Sequence, residues 1–288
     1  MDFKNKFYCM LAPIEDMTDS CFRAICCRYG ADLAFTELIR FESLAKNNKS
    51  SLERIKLYDD TPTIIQVIGE REQFLKKFLS KFSPDKGFKG FNLNLGCPAP
   101  NFVNNGMGCA MIKRISKTKK LIDAIKDYGY GASIKMRLGL NSYEKEKEAY
   151  LNLIKGVNAD FFVVHARHGN QSYNEKADWS VFPECVKTGK NIIANGDIKT
   201  KDDVEKIRSF GCKGAMIGRA AITNPLIFAE LKGLSVLPLD KIKAEYELLV
   251  KERNSPFRYQ KNIFKHLKSN VEFEEIKRNN LFKYGSKK

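Results

Sequence analysis

The feature that most restricts this chain is a recurrence. Eight short apolar runs end near Ala12, Phe35, Ile68, Leu95, Met136, His165, Asn195 and Ile217, at intervals of about 22 to 41 residues. Runs such as Tyr8-Cys9-Met10-Leu11-Ala12 show no polar alternation, the pattern of a strand buried on both faces. Between them lie helix-like segments, among them 70–81, 143–156 and 201–210. Eight strands alternating with helices predict an α/β fold, a closed (β/α)8 TIM barrel. A doubly wound sheet would want GxGxxG after the first strand, and none is there.

In such barrels chemistry sits at the carboxyl ends of the strands. Those positions are Pro13, Glu37, Gln66, Asn94 with Cys97, Lys135 with Arg137, His165 with Arg167, Asn195-Gly196-Asp197 and Gly218-Arg219. Gly96-Cys97-Pro98 stops a strand by turn chemistry, and Asn101, Asn104, Asn105, Gly106 and Gly108 make the following loop open backbone. Cys97 is therefore expected to face a cleft, against the competing reading of a buried small hydrophobe. Glycines at 196 and 218 let backbone amides approach an anion and Arg219 neutralises it; two tight turns alone account for the glycines but less well for the arginine. Lys135 beside the barrel axis is a costly cation unless it meets an anion.

With 288 residues and 43% apolar content, the chain suits one barrel domain over 1–237 and a small helical domain over 238–288. No stretch approaches the ~20 apolar residues of a membrane span, and the first residues lack a signal peptide, so a cytoplasmic protein without a membrane partner is expected. Eight cysteines without CxxC pairs or His partners predict reduced thiols and no metal site. The formal charge of +16 attracts polyanions. From Lys241 to Lys288 there are 13 basic and 6 acidic residues, so the excess is concentrated there. Lys261, Lys265 and Lys268 punctuate Ile263, Phe264 and Leu267 at helical spacing, and Lys113, Arg114, Lys117, Lys119 and Lys120 form a second cluster. Each could equally be a solvated helix face.

Taken together, the motifs resemble the tRNA-dihydrouridine synthases over roughly residues 7–230. The resemblance is carried by Ala12-Pro13-Ile14-Glu15-Asp16-Met17-Thr18-Asp19, Gln66-Val67-Ile68-Gly69, Asn94-Leu95-Gly96-Cys97-Pro98 with Gly106-Met107-Gly108, and Lys135-Met136-Arg137-Leu138-Gly139. It continues in His165-Ala166-Arg167 with Gln171-Ser172-Tyr173 and Ala177-Asp178-Trp179, in Asn195-Gly196-Asp197-Ile198, and in Ile217-Gly218-Arg219-Ala220 with Asn224-Pro225. Asn92 stands where the family usually has Asp, Ala166 where Gly is common, and the basic tail is shorter than in many members.

The resemblance implies an FMN enzyme that reduces uridine in the tRNA D-loop with NADPH as reductant and Cys97 as general acid; a monomer is expected. It implies cofactor contacts at Ala12, Pro13, Ile14, Gln66, Asn94, Lys135, His165, Asn195, Gly196, Asp197, Gly218 and Arg219. Substrate or tRNA contacts are expected at Arg137, Arg167, Lys261, Lys265 and Lys268. A base inside folded tRNA must be splayed out to reach such a site, which calls for a phosphate-gripping surface. Two alternatives stay open: a dihydroorotate-dehydrogenase-like FMN enzyme acting on a free pyrimidine, which needs no basic tail, and a catalytically silent tRNA-binding protein.

Overall fold

The computed structural model describes residues 1–236 and 238–267, so Lys268 and the rest of the tail lie outside the described residues. Parallel strands stop within a residue of all eight expected ends: β1 (Tyr8–Leu11), β2 (Ala34–Phe35), β4 (Thr63–Ile68), β5 (Phe88–Leu95), β6 (Ala132–Met136), β7 (Phe162–His165), β8 (Ile192–Asn195) and β9 (Gly214–Ile217). They are joined in the order β1-β9-β8-β7-β6-β5-β4-β2. The seam between β1 and β2 is closed by a Met10–Leu33 bridge, with Leu11 N donating to Leu33 O at 2.9 Å and Asp32 N to Cys9 O at 2.8 Å. The result is a TIM barrel. A further strand, β3 (Ile39–Arg40), extends the sheet beside β4.

Burial on both faces explains the continuous apolar runs. Met10, Phe35, Ile64, Val163, Ile193 and Met216 fill the barrel axis. Their neighbours Leu11, Val67, Leu93, Val164 and Ile217 point outward into the helical layer. Helices follow most strands; that over Lys201–Ser209 begins with a Thr200–Asp203 capping box. The segment expected as one helix over 143–156 is two, Ser142–Glu146 and Ala149–Gly156, because Glu148 adopts a left-handed φ of 53° between them.

The tail forms the helices Leu239–Arg253 and Phe257–His266. Ile242, Tyr246, Leu249 and Ile263 join the same apolar cluster as Cys21, Phe22 and Ile25 of the barrel's first helix, Ser20–Arg28. Polar contacts then fix the tail to the loops after β1 and β2 and to the segment leading into β4. Arg253 donates to Ser20 O at 2.8 Å and to Asp59 at 2.5 Å, Ser255 to Asp19 at 2.6 Å, and Asn262 to Asp16 O at 3.1 Å. Arg258 pairs with Asp16 at 3.1 Å, and the Tyr259 hydroxyl donates to Glu37. Among the described residues, no helix is long and apolar enough to cross a membrane.

Candidate active site

Strand register places Gln66, Asn92 and Ser133 in one row across β4, β5 and β6. Gln66 Nε2 donates to Asn92 Oδ1 and Asn92 Nδ2 to Ser133 Oγ, each at 2.9 Å, while Ser133 gives its own proton to Phe91 O at 3.2 Å. That last bond leaves Ser133 able only to accept from residue 92. An amide can donate to it and an ionised carboxylate cannot, which accounts for Asn92 here.

One row up, Asn94 lies beside Lys135. Asn94 Oδ1 accepts from Gly96 N at 2.9 Å and Cys97 N at 3.0 Å, and its Nδ2 donates to Gln66 Oε1 at 2.9 Å. This side-chain turn fixes the strand exit and hence Cys97. From the other side, Cys109 N donates to Cys97 O at 3.0 Å. Gly108, at φ 57°, makes the approach possible, since a Cβ there would stand 2.2 Å from Cys97 O. Burial pushes the Cys97 thiol above its ordinary pKa, so it is held as a proton donor at neutral pH.

Beside the thiol lies a cluster of cations. Lys135 has no carboxylate partner among the described residues; burial, then the charge of Arg137, bring its pKa down to about 8. Arg137 Nη1 donates to His168 O at 2.7 Å and Gln171 O at 3.3 Å, bracing the loop after β7. Burial, followed by Lys135 and the arginines, holds His165 well below the imidazole range. Arg167 Nη1 lies 3.1 Å from His165 Nε2; because Arg can only donate, Nε2 is the acceptor and the ring proton sits on Nδ1.

Arg167 was expected to meet substrate, yet it is 1% exposed and its donors are engaged within the protein. It holds Glu175 O through Nη2 at 2.6 Å and Asp197 at 2.5 Å. Asp197, at a left-handed φ of 58°, also accepts from Arg219 at 2.7 Å and Ala177 N at 2.9 Å. Of Lys135, Arg137, Arg167 and Arg219, only the last two bond a carboxylate among the described residues, and both bond Asp197. Tyr173 caps this cluster: its ring stacks on His165 at 6.0 Å and lies 4.7 Å from the Arg219 guanidinium.

The two glycine turns adjoin the cluster. The N–H groups of Gly196, Asp197, Gly218 and Arg219 donate to no group among the described residues. Trp179 Nε1 holds Gly196 O at 2.8 Å, and Asn195 Nδ2 holds Met216 O at 2.8 Å. Gly218 borders the end of β1: a Cβ on it would stand 3.5 Å from Ala12 Cβ and 3.6 Å from Ile14 Cδ1. Pro13 follows in the same turn, which Thr18 closes by accepting from Ile14 N at 3.0 Å. An excess of buried positive charge beside free backbone donors fits an anionic, phosphate-bearing cofactor.

The basic clusters differ. Lys113 pairs with Glu144 at 2.8 Å, Arg114 and Lys117 with Glu70 at 3.4 and 2.8 Å, and Lys119 with Asp123 at 2.5 Å. Lys261 and Lys265 are exposed and have no carboxylate partner among the described residues. Sequence reasoning assigned no role to Glu37, Tyr173 or Tyr259. Glu37 and Tyr173 were visible as a strand end and a motif member; Tyr259 carried no signal, since its partner lies far away in the chain.

The dihydrouridine synthase family model matches residues 10–284. A protein of Bacillus subtilis named as a probable tRNA-dihydrouridine synthase 2 is 31% identical over 276 residues, covering 89% of this chain and 83% of its own. Proteins of Aquifex aeolicus and Helicobacter pylori, each named as a probable tRNA-dihydrouridine synthase, are 31% identical over 238 and 240 residues. These matches cover 81% of this chain and 74% and 72% of theirs. Among solved structures, a nitroalkane oxidase of Streptomyces ansochromogenes superposes with a TM-score of 0.45 at 11% identity, over 75% of this chain and 66% of that one. At that level the likeness adds nothing to the strand order.

Proposed function

The chain belongs to the dihydrouridine synthase family, and from that membership we propose that it is a tRNA-dihydrouridine synthase, reducing the C5=C6 bond of uridine in the D-loop with FMN as cofactor and NADPH as reductant. The observation that carries this reading is the pairing, on adjacent strand ends, of a thiol held protonated and a half-buried lysine with no carboxylate partner among the described residues.

When bound, FMN supplies the hydride for uracil C6. Lys135, Arg219 and the free N–H groups at Gly196 and Gly218 would suit its anionic parts, with Ala12 and Ile14 beside the Gly218 turn. Neutral His165 presents Nδ1–H as a donor. Arg167, with Asp197, orients His165 and the loop that carries Tyr173. Arg137 braces that same loop. Cys97 gives its Sγ proton to C5, completing addition of one hydride and one proton across the double bond.

The test uses the purified protein with FMN. Bleaching of flavin absorbance by NADPH and reoxidation by undermodified tRNA, with dihydrouridine formed, is the expected result. Reoxidation by free uridine or orotate would favour the free-pyrimidine enzyme. Binding of tRNA without bleaching would favour the silent binder.

A further inference from the structure

The helix Phe257–His266 has two unlike faces. Tyr259, Ile263 and His266 turn toward the barrel and are buried, while Phe257, Lys261 and Lys265 recur every four residues on the outside and are exposed. Phe257 is 73% exposed, more than any other large apolar side chain among the described residues. An exposed phenyl ring forgoes the stabilisation of burial, and none of the described residues covers it.

Its placement is fixed. Pro256 sets the helix start, and the next residues tie the helix down through Arg258 to Asp16, Tyr259 to Glu37 and Asn262 to Asp16 O. Asp16 follows Ala12, Pro13 and Ile14, and Glu37 follows β2, so the helix starts at the carboxyl-terminal face of the barrel, where Cys97 and Lys135 open. The ring is therefore presented on the outer face of a braced helix that starts at that end of the barrel.

We propose that Phe257 is a base-stacking platform for the tRNA, with Lys261 and Lys265 gripping phosphates along the same helix face. This rests on the reading of tRNA as substrate. Splaying a uridine out of the D-loop leaves neighbouring bases with an uncovered face, and an aromatic ring can cover one without reading its identity. Lysines in line with the ring, with no carboxylate partner among the described residues, supply the charge that a phosphate backbone requires. The same lysines, on a chain of formal charge +16, would repel a second copy brought against this face.

The test measures binding of undermodified tRNA to the FMN-loaded enzyme across a salt series. Phe257→Ala is expected to weaken binding roughly 5- to 150-fold, the range of one lost base–aromatic stack, with the log–log salt slope unchanged because no charge is removed. Lys261→Ala with Lys265→Ala should instead flatten that slope by about 0.7 to 0.9 for each contact. Phe257→Trp should keep wild-type affinity and lose indole emission when tRNA is added. FMN content reports that each variant is folded. Affinity of Phe257→Ala within twofold of wild type overturns the proposal, as does a wild-type dimer, seen by sedimentation without tRNA, that Phe257→Ala dissociates. Failure of the wild type to form dihydrouridine would instead count against the substrate reading, since the stacking test reads binding and not turnover.

Discussion

The Tyr259 hydroxyl donates to the Glu37 carboxyl, joining the last described helix to the end of the second barrel strand. Burial raises the phenol pKa further above its usual range, so the group acts as a donor at all ordinary pH. Arg54 also holds Glu37, at 3.1 Å, so Tyr259→Phe removes this bond, and one accepted from Arg258 at 3.2 Å, without stranding the acid. The variant should lose about 1–2 kcal/mol in urea unfolding with the m-value kept. An unchanged midpoint would show that the bond contributes nothing.

Cys97→Ala should bind FMN and accept electrons from NADPH as the wild type does, yet form product about 10²–10⁴-fold more slowly. The thiol acts only at the proton-transfer step. Because its pKa is raised, the wild-type rate should hold through neutral pH and fall only on the alkaline side of the ordinary thiol value. Product formation by Cys97→Ala at the wild-type rate would remove the thiol from the reaction.

Lys135 gives flavin affinity a definite pH dependence. Its pKa is about 8 in the free protein, and an anion placed against it must raise that value. Affinity should accordingly be level below about 8 and decline above it, as the free protein loses the proton that the complex retains. Flavin fluorescence quenching between about pH 7 and 9.5 measures this. Lys135→Arg should abolish the step and Lys135→Ala should lower flavin occupancy; a level wild-type profile would place the anion elsewhere.

Asp197→Asn leaves the left-handed backbone acceptable, since asparagine tolerates it, and removes only the charge shared by Arg167 and Arg219. Arg167 is deeply buried, so losing its carboxylate should cost about 3 kcal/mol in denaturant unfolding. Flavin affinity should fall as well, because His165 and the Tyr173 loop lose their brace. Full stability would mean that Glu175 O alone suffices for Arg167.

The strand ends were legible because doubly buried strands are written as unbroken apolar runs, and turn chemistry stops them at Leu95, His165 and Ile217. Strand β3 was not, since Ile39-Arg40 is two residues long and forms no run. The break at Glu148 was hidden because Tyr143 to Tyr150 reads as uninterrupted helix former. In the site, the cations were visible at their strand ends, but their partners were not. Arg167 bonds a main-chain carbonyl at Glu175, and any residue type supplies that acceptor. On the tail, helical spacing grouped the lysines with apolar residues but could not say which face is covered; the contacts to Asp16 and Glu37 decide that Phe257 stays outside.

The thin seam between β1 and β2 has a consequence for the making of the protein. β1 is made well before its partner β9, and the side chains that strap the loops above the seam, Arg253 to Asn262, come later still. During synthesis the barrel is an open parallel sheet with an unpaired edge, the form most exposed to mispairing with other chains. The nascent chain therefore depends on segments made after its last barrel strand to finish what β1 began.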